Sequence, residues 1–143
     1  MKISVQQEDF DVGQEVKALS KDPKIGAVAT FVGVVREVPM TLEHYAGMTE
    51  REITKIVEQA RSRWQVMDCT VIHRFGPLQP TDQIVLVAVA SAHRGDAFAA
   101  CEFVMDYLKT RAPFWKKEQQ PDGARWVEAR ASDDQAAERW TSS

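Results

Sequence analysis

The sequence predicts an α+β fold: an antiparallel sheet with flanking helices. Three observations carry this. Strand-like and helix-like stretches alternate without a long βαβ run, no glycine-rich phosphate loop follows a strand, and neighbouring strand patterns are separated by short turns, as in hairpins. At 143 residues, the chain fits one domain spanning 1–143, a size that buries about 68–70% of the surface exposed by the unfolded chain. With 44% hydrophobic and 27% charged residues, it lacks the composition of a disordered chain.

Ile3 and Val5 alternate with polar neighbours as an opening strand does, and Val12, Val16 and Leu19 follow at helical spacing until Lys21-Asp22-Pro23. Gly26 to Val35 is rich in β-branched and small residues and reads as a central strand covered on both faces. Met40 to Tyr45 reads as a half-buried strand, reached from Arg36 through Glu37-Val38-Pro39. Thr49 and Glu52 have the spacing of a capping box, and Ile53, Ile56, Val57, Ala60 and Trp64 fall on one helical face. Thr70 to Phe75 is β-rich and stops at Gly76-Pro77, and the Pro80-Thr81-Asp82 turn leads into a strand over Ile84 to Ala90 that should pair with it antiparallel. Asp96 can cap a helix whose stripe is Phe98, Cys101, Val104, Met105 and Leu108, ending near Arg111 because Pro113 disfavours helical geometry at Ala112. Phe114–Glu118 and Arg125–Ala129 flank Pro121-Asp122-Gly123 and should form a hairpin, and Ser132 should cap a last helix over Asp133–Trp140.

Composition narrows the function. The longest uninterrupted apolar run, Ile84 to Ala90, has seven residues, against roughly 18 for a transmembrane helix. The first residues turn acidic where a signal peptide needs apolar ones, so a cytoplasmic protein with no membrane contact is expected. Net charge is −3, yet Lys109 to Arg130 holds six basic and three acidic residues. So small an island suits a compact anion better than nucleic acid, whose binding takes many phosphate contacts. Cys69 and Cys101 form no CxxC pair and read as buried, inert thiols. His44 and His73 sit inside strand patterns and read as structural. No metal site and no cofactor are expected.

Basic residues gather at element ends: Arg36, His93-Arg94, Lys109 with Arg111, and Lys116-Lys117. Lysines crowded by cations or desolvated lose pKa and can transfer protons or attack a carbonyl. Equally, such residues can complement a helix dipole or form a solvated face.

Several motifs resemble one family. They are Thr41-Leu42-Glu43-His44-Tyr45 with Gly47-Met48-Thr49-Glu50, Val71-Ile72-His73-Arg74 with Gly76, Ser91-Ala92-His93-Arg94, the run from Met105 to Lys116, and Trp126-Val127-Glu128-Ala129-Arg130. Together they are similar to the large, catalytic subunit of molybdopterin synthase, the MoaE family. The resemblance implies an α/β-hammerhead fold and sulfur transfer in molybdenum cofactor biosynthesis. The sulfur would come from the thiocarboxylated C-terminal glycine of a ubiquitin-like small subunit and pass to cyclic pyranopterin monophosphate, giving the molybdopterin dithiolene. It also implies a homodimer within a heterotetramer. By motif, Lys109 and Lys116 correspond to catalytic lysines. Val34, Val35, Arg36, His93, Arg94, Lys117 and Glu118 complete the implied substrate-binding set with them. One departure falls beside Arg36, where Glu37-Val38-Pro39 replaces a longer, often glycine-containing loop. Two competing readings are a silent module that docks a ubiquitin-like tail or small anion, and a persulfide sulfurtransferase that depends on a cysteine.

Overall fold

The computed structural model describes residues 1–120, 123–127 and 131–141. The elements are β1 (Lys2–Gln6), α1 (Val12–Leu19), β2 (Ala27–Val34), β3 (Met40–His44), α2 (Met48–Arg63), β4 (Asp68–Arg74), β5 (Gly76–Leu78), β6 (Gln83–Ser91), α3 (Arg94–Arg111), β7 (Phe114–Gln120), β8 (Gly123–Val127) and α4 (Ala131–Glu138). The strands form two sheets of four, ordered β1-β4-β6-β2 and β5-β3-β7-β8. Pairing is antiparallel throughout except that β1 runs parallel to β4.

The apolar run of β6 explains the first sheet. Val85, Val87 and Val89 face α2 and α3, meeting Ile53, Ile56, Val57, Phe103 and Val104, while Leu86, Ala88 and Ala90 meet Leu19 of α1 and Ile72. A strand with no polar face takes the interior of a sheet and needs cover on both sides. That displaces β2 from its expected central place: it pairs with β6 alone and lies at an edge, with Thr30, Phe31 and Val34 exposed. Nor is β2 joined to β3 as a hairpin; the Arg36–Pro39 link passes from one sheet to the other. Glu37 takes a φ of 72° there, and Val38 N–H donates to Arg36 O at 2.9 Å. The short link is therefore a tight turn with a non-glycine residue in the left-handed region.

Three helix starts, those of α2, α3 and α4, differ from expectation. Gly47, at φ 83°, precedes α2, and its N–H donates to Glu50 Oε2 at 2.7 Å. Thr49 lies inside the helix, its hydroxyl donating to Tyr45 O at 2.8 Å, and Glu52 pairs with Lys55 instead. α3 begins at Arg94 with His93 ahead of it, and the Asp96 carboxylate accepts from Gln65 N–H at 3.1 Å, tying α3 to the end of α2. Gly76-Pro77, expected as a turn, begins β5 and pairs with β3. The β7–β8 hairpin forms, while its expected turn residues Pro121 and Asp122, and Glu128 to Arg130, lie outside the described residues. Ser132 falls in the first turn of α4 rather than ahead of it.

The C-terminal segment holds α3 in place. Trp140 Nε1 donates to Asp106 Oδ2 at 2.6 Å, and Arg139 also reaches Asp106 at 2.8 Å. Trp64, Phe103 and Trp140 pack edge to face, with Arg63 over all three rings. No helix among the described residues is long and apolar enough to cross a membrane.

Candidate functional site

Two successive features of the sequence place the lysines. Lys109 stands in the last turn of α3, and Pro113 forces Ala112 out of the helix to φ −71°, ψ 130°. Phe114 N–H then donates to Ala112 O at 2.8 Å, a three-residue turn that swings the chain into β7. On β7, Phe114 lies opposite His44, Trp115 opposite Glu43, Lys116 opposite Leu42, Lys117 opposite Thr41 and Glu118 opposite Met40. Directly opposed residues share a face of the sheet. Phe114, Lys116 and Glu118 therefore lie on the inner side, with buried Met40 and Leu42, and Lys116 Nζ pairs with Glu118 Oε1 at 3.1 Å. Trp115 and Lys117 lie on the other side, where Trp115 packs edge-on against Tyr45 with ring centroids 4.2 Å apart. There a cleft of about 460 Å³ is lined by Pro39, Thr41, Glu43, Pro77, Gln79 and Lys117, among others. Lys116 and Lys117, adjacent in sequence, thus serve different surfaces.

Beneath the lysines lies an aromatic cluster. His73, 7% exposed, stacks on Phe114 with ring centroids 3.7 Å apart and planes 19° apart. His44 packs on Phe75 and, further off, on Phe114. His73 Nδ1 is 2.9 Å from Arg74 O; a carbonyl only accepts, so Nδ1 carries the proton and Nε2 is bare in the neutral ring. His44 Nδ1 is 3.1 Å from Thr49 Oγ1, whose own hydrogen goes to Tyr45 O, so His44 also donates through Nδ1. Burial pushes the His73 pKa down to about 4; the Lys109 and His44 charges act in the same direction, against the bond to Arg74 O. At neutral pH His73 is an uncharged ring under the influence of Lys109. Both histidines are packed and hydrogen-bonded, as structural histidines should be.

The other expected site residues divide between two ends of the first sheet. Val34, 50% exposed, ends β2 at a register shift, and Val35 is 4% exposed, its N–H donating to Asp82 O and its carbonyl accepting from Thr81 N–H. Arg36 follows, exposed, at the end where β6 begins. Since α3 runs back along β6, Lys109 returns to that same end. His93 and Arg94 are exposed at the opposite end, where α3 starts. Lys109 lies fifteen helical steps after Arg94, roughly 22 Å at 1.5 Å per residue. Within one copy of the chain, Arg36 and Lys109 lie toward one end of the first sheet, Lys116 pairs with Glu118 on the strand that follows α3, and His93-Arg94 lie at the opposite end of α3.

Both thiols are buried and free, Cys101 donating weakly to Val87 O at 3.7 Å. Burial pushes Cys69 up to about 12 and Cys101 up to about 11, so neither is a thiolate at neutral pH. Among the described residues, no three His, Cys, Asp or Glu side chains gather as metal ligands. Sequence reasoning missed the roles of Phe75 and Phe114 in the cluster. The β-pattern of Phe114–Glu118 did hold one usable signal, since alternation alone separates Lys116 from Lys117.

Residues 5–111 match the family model described as MoaE protein. The chain is 59% identical over 146 aligned positions to the molybdopterin synthase catalytic subunit of Ralstonia nicotianae, covering 96% of this chain and 83% of that one. Among solved structures it is similar to the molybdopterin biosynthesis MoaE protein of Burkholderia ambifaria (TM-score 0.86, 59% identity, 98% of each chain). It is also similar to the molybdopterin synthase of Staphylococcus aureus (TM-score 0.81, 33% identity, 87% of this chain and 96% of that one).

Proposed function

The chain belongs to the MoaE protein family, and from that premise we propose that it is the catalytic subunit of a molybdopterin synthase. It transfers sulfur from the thiocarboxylated C-terminal glycine of a ubiquitin-like small subunit to cyclic pyranopterin monophosphate, forming the dithiolene. Residues 1–143 act as one domain, in the cytoplasm. The observation that carries the reading is the Lys109–Lys116 arrangement: a helix end, a proline break and a strand start bring two lysines to one end of the sheet, over a neutral, buried ring cluster.

The chemistry suits anions at both stages. The thiocarboxylate and the substrate phosphate are negative, and a cationic group at a partly dry surface binds them and stabilises charge as the acyl–sulfur bond breaks. Lys109 engages the thiocarboxylate and assists the transfer by moving a proton through its amine, and Lys116, with Glu118 as its ion-pair partner, supports acid/base steps on the pterin. Arg36 holds the phosphate at the same end, beside the turn that Val34 and Val35 set. His93, Arg94 and Lys117 complete the pocket only when a second copy brings them there, so the working form is a homodimer within a heterotetramer.

The deciding experiment incubates the protein with thiocarboxylated small subunit and pterin precursor and follows dithiolene formation. Product that depends on Lys109 supports the reading. A folded protein that binds the small subunit yet forms none would be a docking module instead. The persulfide route is disfavoured because Cys69 and Cys101 are buried and held as thiols.

A further inference from the structure

We infer that His73 is a positioning residue for the lysine pair: its imidazole is the plate on which Phe114 rests, fixing where the chain turns between Lys109 and Lys116. The inference rests on the role proposed for those lysines. Its ground is geometric. Only Thr110 to Trp115 separate the two lysines, and within that stretch the Ala112–Phe114 turn changes the chain from helix to strand. Phe114 is the first residue of β7 and the only side chain of that turn stacked face to face on the first sheet.

His73 is itself firmly set. It lies near the end of β4, paired with Val5 on one side and Val85 on the other, and its Nδ1–H is anchored on Arg74 O. β3 contributes His44, which braces Phe114 and Phe75. The stack therefore links the rigid sheet to the sheet that carries Lys116. A flat ring against a flat ring fixes tilt as well as distance, which an aliphatic contact does not. A neutral ring is also compatible with the neighbouring Lys109 ammonium, whereas an imidazolium would repel it.

The test compares His73→Leu, which keeps apolar bulk and loses the flat face, with His73→Phe, which keeps the face and loses Nδ1–H. Both are assayed for dithiolene formation, with Lys109→Ala as reference and thermal melts alongside. His73→Leu should lower kcat at least tenfold with KM for the thiocarboxylated partner within about twofold, and His73→Phe should restore kcat to within about threefold. Phe114→Leu removes the other half of the stack and serves if His73→Leu does not fold; it should lower kcat in the same way, and the double variant should lose little more than either single one. Wild-type kcat in folded His73→Leu or Phe114→Leu, with Lys109→Ala inactive, overturns the inference and leaves the proposed function standing. Full activity of Lys109→Ala overturns both.

Discussion

The two sheets divide the labour of the molecule. The sheet β1-β4-β6-β2 holds most of the buried apolar residues, packed on one face by α2 and α3 and on the other by α1. Among the described residues, the sheet β5-β3-β7-β8 has a smaller buried cluster, Met40, Leu42 and Leu78 with Val35 of the preceding link, and carries Lys116, Lys117 and Glu118. Stability is concentrated in the first and the anion chemistry in the second, with Lys109 and the His73–Phe114 stack at the seam between them. Substitutions in the first sheet should therefore act on folding, and those at the seam on turnover.

The largest effect is expected at the seam. Lys109→Ala should lower the rate about 10²–10⁴-fold, the usual scale for a lost proton-transfer group. Its cost in stability should be only about 0.3–1 kcal/mol, as for a cation removed from a helix C-terminus. Lys109→Arg should keep partner binding but recover little turnover, because guanidinium does not deprotonate near neutral pH. Lys17→Ala, on α1, should leave the rate unchanged. A near-normal rate in folded Lys109→Ala, with thiocarboxylated partner in excess, would erase the contrast between seam and core.

The core side of the comparison is tested by Phe103→Ala. Phe103 is 2% exposed and stacks with Trp64, Tyr107 and Trp140, so truncation should cost about 3–5 kcal/mol in urea denaturation. The variant should still turn over at low temperature, where it remains folded. Activity lost before folding is lost would mean that the C-terminal latch on α3 acts on the site directly.

His73 belongs to both regions, and pH separates its contributions. Its folded pKa of about 4 lies below the ordinary 6.5, so between these values the unfolded chain takes up a proton that the folded chain does not. The stability from this neutral ring is complete above pH 6.5 and declines as pH falls toward 4. By pH 4.5 the loss should reach about 2–3 kcal/mol relative to pH 7. His73→Phe has no such proton, so its stability should fall by that much less over the same range. Equal acid sensitivity in the two proteins would show that His73 is not held neutral.

The sequence made local elements and short-range pairing more legible than the order of strands in the sheets. The α2 stripe and the β4–β6 pair follow from local periodicity and short connections, and so does the end of α3 at Pro113. The parallel partnership of β1 and β4, the edge position of β2 and the pairing of β5 are settled by which strand most needs cover, a competition among distant segments. Capping by Gly47 was hidden because Thr49 and Glu52 offered the same spacing two residues later. For the site, Lys109 and Lys116 were readable as ends of neighbouring elements. The distance of His93-Arg94 from them depends on α3 running the length of the sheet as an unbroken helix, which a motif match does not reveal.

The smallest effect on turnover is expected from the two thiols, although both lie in the main core. Cys69 is 2% exposed at the start of β4 and Cys101 is 7% exposed on α3, and burial raises both pKa values, so neither offers a thiolate to accept sulfur. A Cys69→Ser, Cys101→Ala variant should keep turnover within about twofold. It should lose about 1–3 kcal/mol of stability, from a hydroxyl placed in an apolar site and a small cavity beside Val87. The measurement is a rate at 25 °C beside a denaturation curve, because the two regions predict opposite outcomes for one protein: a core substitution lowers the midpoint and spares kcat, whereas a site substitution does the reverse. Turnover abolished in the folded double variant would move the sulfur chemistry from the seam into the core and restore the persulfide mechanism.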